Sequence, residues 1–222
     1  MLMTQSLSAT TDNLVAAGPF GSWLTQARAA LRGDGGMDVP CGDCVGCCTS
    51  GYSVQLRPQD ARALAKVPAE FLVSAAGFPA GHMTMPALAD GSCPMLAAGK
   101  CTIYRERPQT CLDYDCRVFA AAGIDAGGED KVVINRRVRA WRFTYPTAAD
   151  KLAHDAVRSA ATFIQERRAS FTTRVPTAPM GIAVLAIKVY KIFLEPDMQA
   201  RSEREIAQAI VITAREFDQP TP

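Results

Sequence analysis

The stretch "CGDCVGCCTS", residues 41–50, holds four thiols within eight positions, and two of them, Cys47 and Cys48, are adjacent. The first three follow the spacing C-x2-C-x2-C. A thiolate at every third residue lets a tight turn point successive sulfurs at one centre, while freed backbone amides hydrogen-bond to them. Gly42 and Gly46 suit this turn because glycine adopts backbone angles that a side chain obstructs. The stretch therefore predicts a loop that curls around a metal ion or cluster.

Four more cysteines follow in "CPMLAAGKC", residues 93–101, and "CLDYDC", residues 111–116. Eight thiols exceed the four that a tetrahedral zinc or a cubane cluster uses, so the sequence allows two centres, or one centre with spare thiols. All eight are candidate metal ligands: Cys41, Cys44, Cys47, Cys48, Cys93, Cys101, Cys111 and Cys116.

Spacing limits how these thiols can be shared. In a regular helix after Pro108, Cys111 and Cys116 would lie about 140° apart around the axis and could not easily grip one small ion. Either that helix breaks between them, or the two sulfurs serve different metal atoms. Successive side chains of an extended chain point apart, so Cys47 and Cys48 are expected to face different surroundings.

The composition indicates a folded protein in a reducing compartment. The chain has 222 residues, 48% of them hydrophobic, which is enough for a sizeable core. Its 24 basic and 22 acidic side chains nearly balance, so charge alone indicates neither nucleic acid nor an anionic membrane as partner. Residues 1–20 lack the features of a secretion signal, and the most apolar stretch, 181–194, is far shorter than the roughly 20 residues of a membrane span. We expect a cytoplasmic protein, in which clustered thiols bind metal more often than they form disulfides.

The pattern predicts an α-rich fold, α+β with little β structure. We expect irregular metal-binding cysteine loops and short helices, a small hairpin, and C-terminal helices. Three units follow from this: an N-terminal helical segment at 1–40, a cysteine-cluster metal-binding domain at 41–146, and a C-terminal helical region at 147–222 packed on it.

Individual elements can also be predicted. Thr147 and Asp150 resemble a capping box that starts a helix. The other expected elements are a helix within 14–32, an irregular connection at 77–92, a hairpin formed by 131–135 and 138–145, and helices at about 179–194 and 201–217.

The cysteines, together with Tyr104, Arg107 and Pro108, resemble the CxxCxxCC cysteine-cluster family of YkgJ type, whose members are zinc- or iron-chelating domains. The resemblance runs from residue 41 to residue 116. It implies a bacterial, cytoplasmic metal-binding domain. The flagellin lysine N-methylases are more distantly similar in their cysteine pattern and point to an iron–sulfur centre and methyl transfer. No glycine-rich strand-turn-helix signature for S-adenosylmethionine accompanies the cysteines.

An iron–sulfur cluster is favoured over zinc as the cofactor, because the C-x2-C-x2-C run resembles the ferredoxin pattern whereas zinc usually takes paired knuckles. The expected role is that of a carrier, sensor or cluster scaffold. The alternatives are an iron–sulfur-dependent modifying enzyme, such as a protein methyltransferase, and a zinc-stapled interaction module. The sequence does not decide whether the protein is an enzyme, and it names no catalytic residue. Metal ions are the expected partners. The sequence does not decide whether the protein also has a protein partner or substrate.

Some other residues invite a functional and a structural interpretation. Tyr104 and Arg107 could contact the metal ligands without binding the metal, and the guanidinium would then offset thiolate charge. In the structural interpretation they are a buried tyrosine and a surface arginine. The basic run Arg136, Arg137, Arg139 and Arg142 could hold a nucleotide or an acidic partner with Trp141 and Phe143, but the solvated face of a hairpin explains it better. His82 is expected to be an ordinary loop residue, His154 structural, and Asp113 and Asp115 surface carboxylates at a helix N-terminus.

Overall fold

The structure, a computed structural model, describes residues 14–37 and 39–219. Residues 1–13, where no secretion signal is expected, lie outside the described part. The helices are α1 (Phe20–Ala30), α2 (Ala61–Leu64), α3 (Gln109–Asp113), α4 (Arg117–Ala122), α5 (Val132–Ala140), α6 (Ala148–Glu166), α7 (Pro179–Val189) and α8 (Glu203–Phe217). The strands are β1 (Val15–Pro19), β2 (Val54–Leu56), β3 (Val73–Ser74), β4 (Met83–Met85), β5 (Leu96–Ala97), β6 (Lys100–Cys101) and β7 (Trp141–Thr144). The α-rich fold predicted from the sequence is confirmed.

The main hydrophobic core is built around α7. This helix is apolar on nearly every side, so it can be stable only where other elements cover it. It packs against α1, α4, α6 and α8. Helix α6 contributes a stripe of fully buried side chains at helical spacing: Val157, Ala160, Ala161 and Ile164. The core therefore draws on the N-terminal, central and C-terminal parts of the chain, and the unit boundaries at 40/41 and 146/147 stay a prediction.

A second, smaller apolar cluster, the satellite core, lies beside the cysteines. Its buried members are Val54, Leu56, Ala63, Val67, Met85, Met95 and Ile103, and the side chains of Cys93, Cys101 and Cys111 pack against it. A three-stranded sheet in the order β2–β4–β3 supports it. Strand β4 lies within residues 77–92, so the prediction that this stretch is irregular throughout was wrong. Strands β5 and β6 form a small hairpin that the sequence interpretation did not predict.

The hairpin predicted at 131–135 and 138–145 is not formed. Residues 132–140 form helix α5, and only β7 is extended. Ile134 and Val138 are buried at the i, i+4 spacing of one helical face, a pattern that a short apolar run does not separate from a strand. The partner of β7 is β1, which runs parallel to it from more than 120 residues earlier in the chain. Such a distant partner leaves no local signal.

The helix ends follow local sequence rules. Thr147 and Asp150 form the predicted capping box at the start of α6, in which the Thr147 hydroxyl accepts from the Asp150 amide at 3.2 Å. Ser202 and Glu205 form a second box at α8. The first helix begins only at Phe20, because residues 15–19 are extended against β7. Within the described residues, none of the helices combines the length and apolar character needed to cross a bilayer.

His154 lies in an aromatic cluster where α6 meets α1. Its ring stacks on Phe20, with 4.3 Å between centroids, and its Nδ1 shares a hydrogen bond of 2.6 Å with the Tyr145 hydroxyl. Burial, followed by the nearby positive charge of Arg158, lowers the pKa of His154 to about 4. The imidazole is therefore neutral in the folded protein at pH 7, in agreement with the structural role expected for it.

Stability should fall in acid through this histidine. An unfolded histidine has a pKa of about 6.5, so between pH 6.5 and 4 the unfolded chain binds the extra proton and the unfolding free energy decreases as pH falls. The full effect of this one site is about 3 kcal/mol. Urea denaturation across this range should show a smaller pH dependence for His154→Gln than for the wild type. His82→Gln, outside the cluster, is the matched control, and equal pH profiles for wild type and His154→Gln would contradict the assignment.

Candidate metal centre

The first cysteine loop is a pair of tight turns. The Cys44 amide donates to the Cys41 carbonyl at 3.0 Å, and Gly46–Thr49 form a 3₁₀ turn. Gly42 adopts a left-handed backbone conformation with φ +56°, as the sequence suggested. Gly46 is needed for a different reason: a Cβ there would lie 3.3 Å from Ile134 of α5, so the loop lies against that helix.

The second cysteine stretch pairs directly with the first. The Cys93 amide donates to the Cys48 carbonyl at 2.7 Å, and the Gly51 amide donates to the Gly91 carbonyl at 2.8 Å. Cys101 lies on β6, Cys111 lies in α3, and Cys116 immediately precedes α4. The two stretches therefore meet through backbone hydrogen bonds. All eight thiols are free.

The electrostatic coupling between thiols divides them into two groups. The larger thiol group contains Cys47, Cys48, Cys93, Cys101 and Cys111. Within it, the charges of Cys47 and Cys101 raise the pKa values of Cys48, Cys93 and Cys111. The smaller thiol group contains Cys41, Cys44 and Cys116. Cys47 is also close enough for its charge to raise the pKa of Cys41, so the two groups are neighbours.

The chain between Cys111 and Cys116 is not a continuous helix. Helix α3 ends at Asp113 and α4 begins at Arg117, which is the break that the spacing suggested. The two cysteines belong to different thiol groups. The expectation for Cys47 and Cys48 was wrong, because the chain there is a 3₁₀ turn rather than a strand, and their sulfurs lie 3.9 Å apart.

Without a cation, most of these thiols hold their protons. Burial is the main reason that the pKa of Cys111 and that of Cys116 are each raised to about 12, and the charges of neighbouring groups add to it. Burial likewise raises the pKa of Cys41 and that of Cys93. A bound cation reverses this balance, since it attracts thiolates and displaces their protons. The donor set therefore suits a thiophilic metal.

Cys47 and Cys48 share a proton unequally. Their mutual hydrogen bond lowers the pKa of Cys47 and raises the pKa of Cys48, so Cys47 ionises first. As the side chains stand, no three His, Cys, Asp or Glu residues of the described chain form a group that could hold a metal ion. Ligation therefore requires the thiols to move closer together.

Arg107 and Tyr104 lie beside the thiols. The Arg107 guanidinium covers the Tyr104 ring at 3.7 Å, and its positive charge lowers the pKa values of Cys41, Cys47 and Cys111. The other face of Tyr104 is open to solvent, since half of its surface is exposed. The guanidinium thus offsets negative charge on sulfur, while the tyrosine contacts the arginine.

The sequence interpretation missed two supporting residues. The Arg137 guanidinium donates to the Cys41 carbonyl at 2.6 Å, and its charge lowers the pKa of Cys41. The Trp141 indole donates to the Cys116 sulfur at 3.2 Å and lowers its pKa. Both belong to the basic and aromatic run that the sequence suggested was a solvated hairpin face. Their i, i+4 spacing was the available signal, since it puts both on one side of a helix end.

Asp115 is buried rather than a surface carboxylate, which corrects the expectation. Only 2% of its surface is exposed. It accepts a hydrogen bond of 2.8 Å from the Trp23 indole and pairs with the Arg117 guanidinium at 2.9 Å. Trp23 belongs to α1, so this network fixes the chain next to Cys116 onto the main core. Asp113, by contrast, is only half-buried and lies 3.7 Å from Arg57.

His82 takes no part in either thiol group. Its Nδ1 lies 3.0 Å from the Pro79 carbonyl, and its ring stacks on Phe78.

Comparison with known proteins agrees with this site. Residues 40–130 match the model of the CxxCxxCC family, which is described as "Putative zinc- or iron-chelating domain". The family resemblance found in the cysteine pattern is thereby confirmed over residues 40–130, and the family's metal-chelating description agrees with the clustered thiols. No curated protein gives a significant match to the chain. No solved structure does so either.

Removing the charge of Asp115 should destabilise the protein strongly. Asp115→Asn removes the carboxylate charge that faces the buried Arg117 guanidinium, and breaking such a buried pair costs about 3–5 kcal/mol. Urea denaturation measures the loss. The matched control is Asp113→Asn, whose partly exposed ion pair contributes about 1 kcal/mol or less. Equal losses for the two variants would contradict the anchoring role.

The Cys47 thiol should react faster than those of Cys111 and Cys116. Its side chain is exposed and its pKa is lowered, while Cys111 and Cys116 hold their protons. Only thiolates react rapidly with iodoacetamide, so in reduced, metal-free protein at pH 8 Cys47 should be alkylated at least about tenfold faster than either. Peptide mass mapping measures the rates, and urea should remove the difference. Equally fast labelling of Cys111 in the folded protein would refute this order.

Proposed function

We propose that the protein binds iron as an iron–sulfur cluster and acts as a carrier, sensor or scaffold of that cluster. The observation that carries the proposal is the meeting of two cysteine stretches, which brings eight free thiols into two neighbouring groups. The family description, zinc- or iron-chelating, is compatible with it. A bacterial cytoplasm is the setting we propose, since clustered free thiols persist in reducing compartments.

The larger thiol group is the proposed principal centre. It combines thiols from both stretches, and three of them, Cys93, Cys101 and Cys111, pack on the apolar satellite core. Five thiols exceed the four that either a tetrahedral zinc or a cubane cluster uses, so their number does not separate the two; the C-x2-C-x2-C spacing of the first stretch is what favours iron–sulfur. The Arg107 charge offsets part of the negative charge that thiolates would bring. When bound, an iron–sulfur cluster would supply one-electron chemistry and a cross-link between the stretches.

The smaller thiol group is a proposed second set of ligands or of supporting thiols. Cys41, Cys44 and Cys116 are held by Arg137, Trp141 and the Asp115 network rather than by the satellite core. The Gly46 amide donates to the Cys44 sulfur at 3.5 Å. Both groups thus contain donors that stabilise negative sulfur, which is the condition for metal ligation.

Zinc in a purely structural role is the second candidate. The satellite core has seven buried apolar residues, a small number for the loops that surround it. A cation that links Cys93, Cys101 and Cys111 to the first loop would stabilise those loops whatever its identity. The further alternative, a cluster-dependent modifying enzyme such as a protein methyltransferase, stays a prediction from the sequence.

Metal analysis separates these functions. Protein purified without oxygen should be brown, with broad visible absorption, and should contain iron and acid-labile sulfide. Colourless protein with stoichiometric zinc would support the structural zinc site instead. Cys111→Ser and Cys44→Ser should each weaken metal binding by at least about tenfold. Even the loss of a residue that only hydrogen-bonds to a ligand lowers metal affinity by that much.

Thr49→Ser lies in the same loop and is the matched control, because it keeps the hydroxyl that bonds to the Val45 carbonyl. Its metal content should equal that of the wild type. Unchanged metal content in both cysteine variants would refute the proposed ligands, and protein without any metal would refute the function.

A further inference from the structure

A polar cavity lies beside Trp141, the residue whose indole donates to the Cys116 sulfur. Its volume is about 350 Å³, and it is open to solvent and bordered by the end of α4, the end of α5, the start of β7 and the middle of α6. No cysteine lines it. The cavity is therefore a separate feature from the candidate metal centre, although Trp141 adjoins both.

Three arginines and one aspartate line this cavity. Arg139 and Arg142 are members of the basic run, and Arg158 comes from α6. Asp125 pairs with Arg139, with 2.5 Å between Nη2 and Oδ2. Among the described residues no other charged side chain lines the cavity, so it carries an excess of two positive charges.

Two of the arginines, Arg142 and Arg158, keep hydrogen-bond donors available. Arg142 donates through Nη1 alone, to the carbonyls of Arg139 and Trp141 at 2.6 and 2.8 Å, and this fixes its guanidinium at the end of α5. The Arg158 guanidinium has neither a hydrogen bond nor an ion pair with any residue in the described part of the chain. It lies across Gly123, where an added Cβ would be 3.4 Å from its Nε.

We propose that this cavity binds a small, multiply charged oxyanion, namely a phosphate group, free or carried by a small molecule. Guanidinium groups match the geometry and charge of phosphate oxygens, and two or three of them around one cavity favour a dianion over chloride. The volume lies at the lower end of ligand pockets, which selects a small ligand.

The buried aromatic side chains argue against a nucleotide base. Trp141 is 4% exposed and Phe119 is fully buried, so neither ring presents a face on which a base could stack. Phe143 packs in the interior against Phe20 and Trp23. The run thus offers charge without stacking surfaces.

Calorimetric titration of the full-length protein with sodium phosphate at pH 8 and 0.15 M sodium chloride tests the site. One phosphate should bind per chain. Arg158→Gln should weaken binding at least about tenfold, because it removes a charged donor with no other partner. The control is Arg136→Gln on α5, which is exposed and does not line the cavity; it should change the affinity less than about twofold, as expected for a screened surface charge.

Arg158 is exposed, so its substitution should leave the fold intact, and equal melting temperatures for both variants and the wild type check this. Two results would overturn the site: the absence of saturable phosphate binding to the wild type, and equal weakening by Arg158→Gln and Arg136→Gln. These two results do not depend on whether metal is bound, since Arg158 and Arg136 lie outside the thiol groups.

Discussion

The buried carboxylate of Asp115 connects the two halves of this protein. It receives hydrogen bonds from Trp23 of the first helix and from Arg117 at the start of α4, in a region with almost no solvent. A charge in such a place is tolerated only when its partners are fixed around it. The helical core therefore has to hold these partners in place, and the chain next to Cys116 is held with them. This ion pair therefore connects the cysteine region to the helical core, together with the hydrogen bonds from Arg137 to Cys41 and from Trp141 to Cys116.

Charge balance dominates the chemistry of the thiols. Eight sulfurs gathered in two neighbouring groups cannot all ionise unless positive charge compensates them, and burial strengthens this restriction. Arg107 and Arg137 supply part of the compensation, and Trp141 supplies a hydrogen bond to sulfur. These groups lower the free-energy cost of forming thiolates without removing it. A bound metal ion or cluster would supply the rest of the positive charge, and it would also cross-link the loops, so metal binding would be coupled to their folding.

The basic run illustrates how one stretch of sequence can serve two sites. Residues 132–140 form a helix, so Arg137 lies toward the cysteines while Arg139 lies toward the polar cavity. Trp141 follows at the helix end and adjoins both. A strand would have put Arg137 and Arg139 on the same face, because its side chains alternate with a period of two. The helical period is what separates the two arginines.

Local patterns in the sequence determined much of this protein. Thiol spacing indicated the metal-binding domain, the capping box at Thr147 fixed the start of α6, and the apolar periodicity predicted the C-terminal helices, because each signal depends on residues a few positions apart. Only the tertiary structure decided which thiols are neighbours, that residues 132–140 are helical, and that Asp115 is buried. The pairing of β7 with β1, and that of Asp115 with Trp23, join residues about a hundred positions apart. Such contacts arise from packing of the whole chain, and no short window of sequence contains both partners.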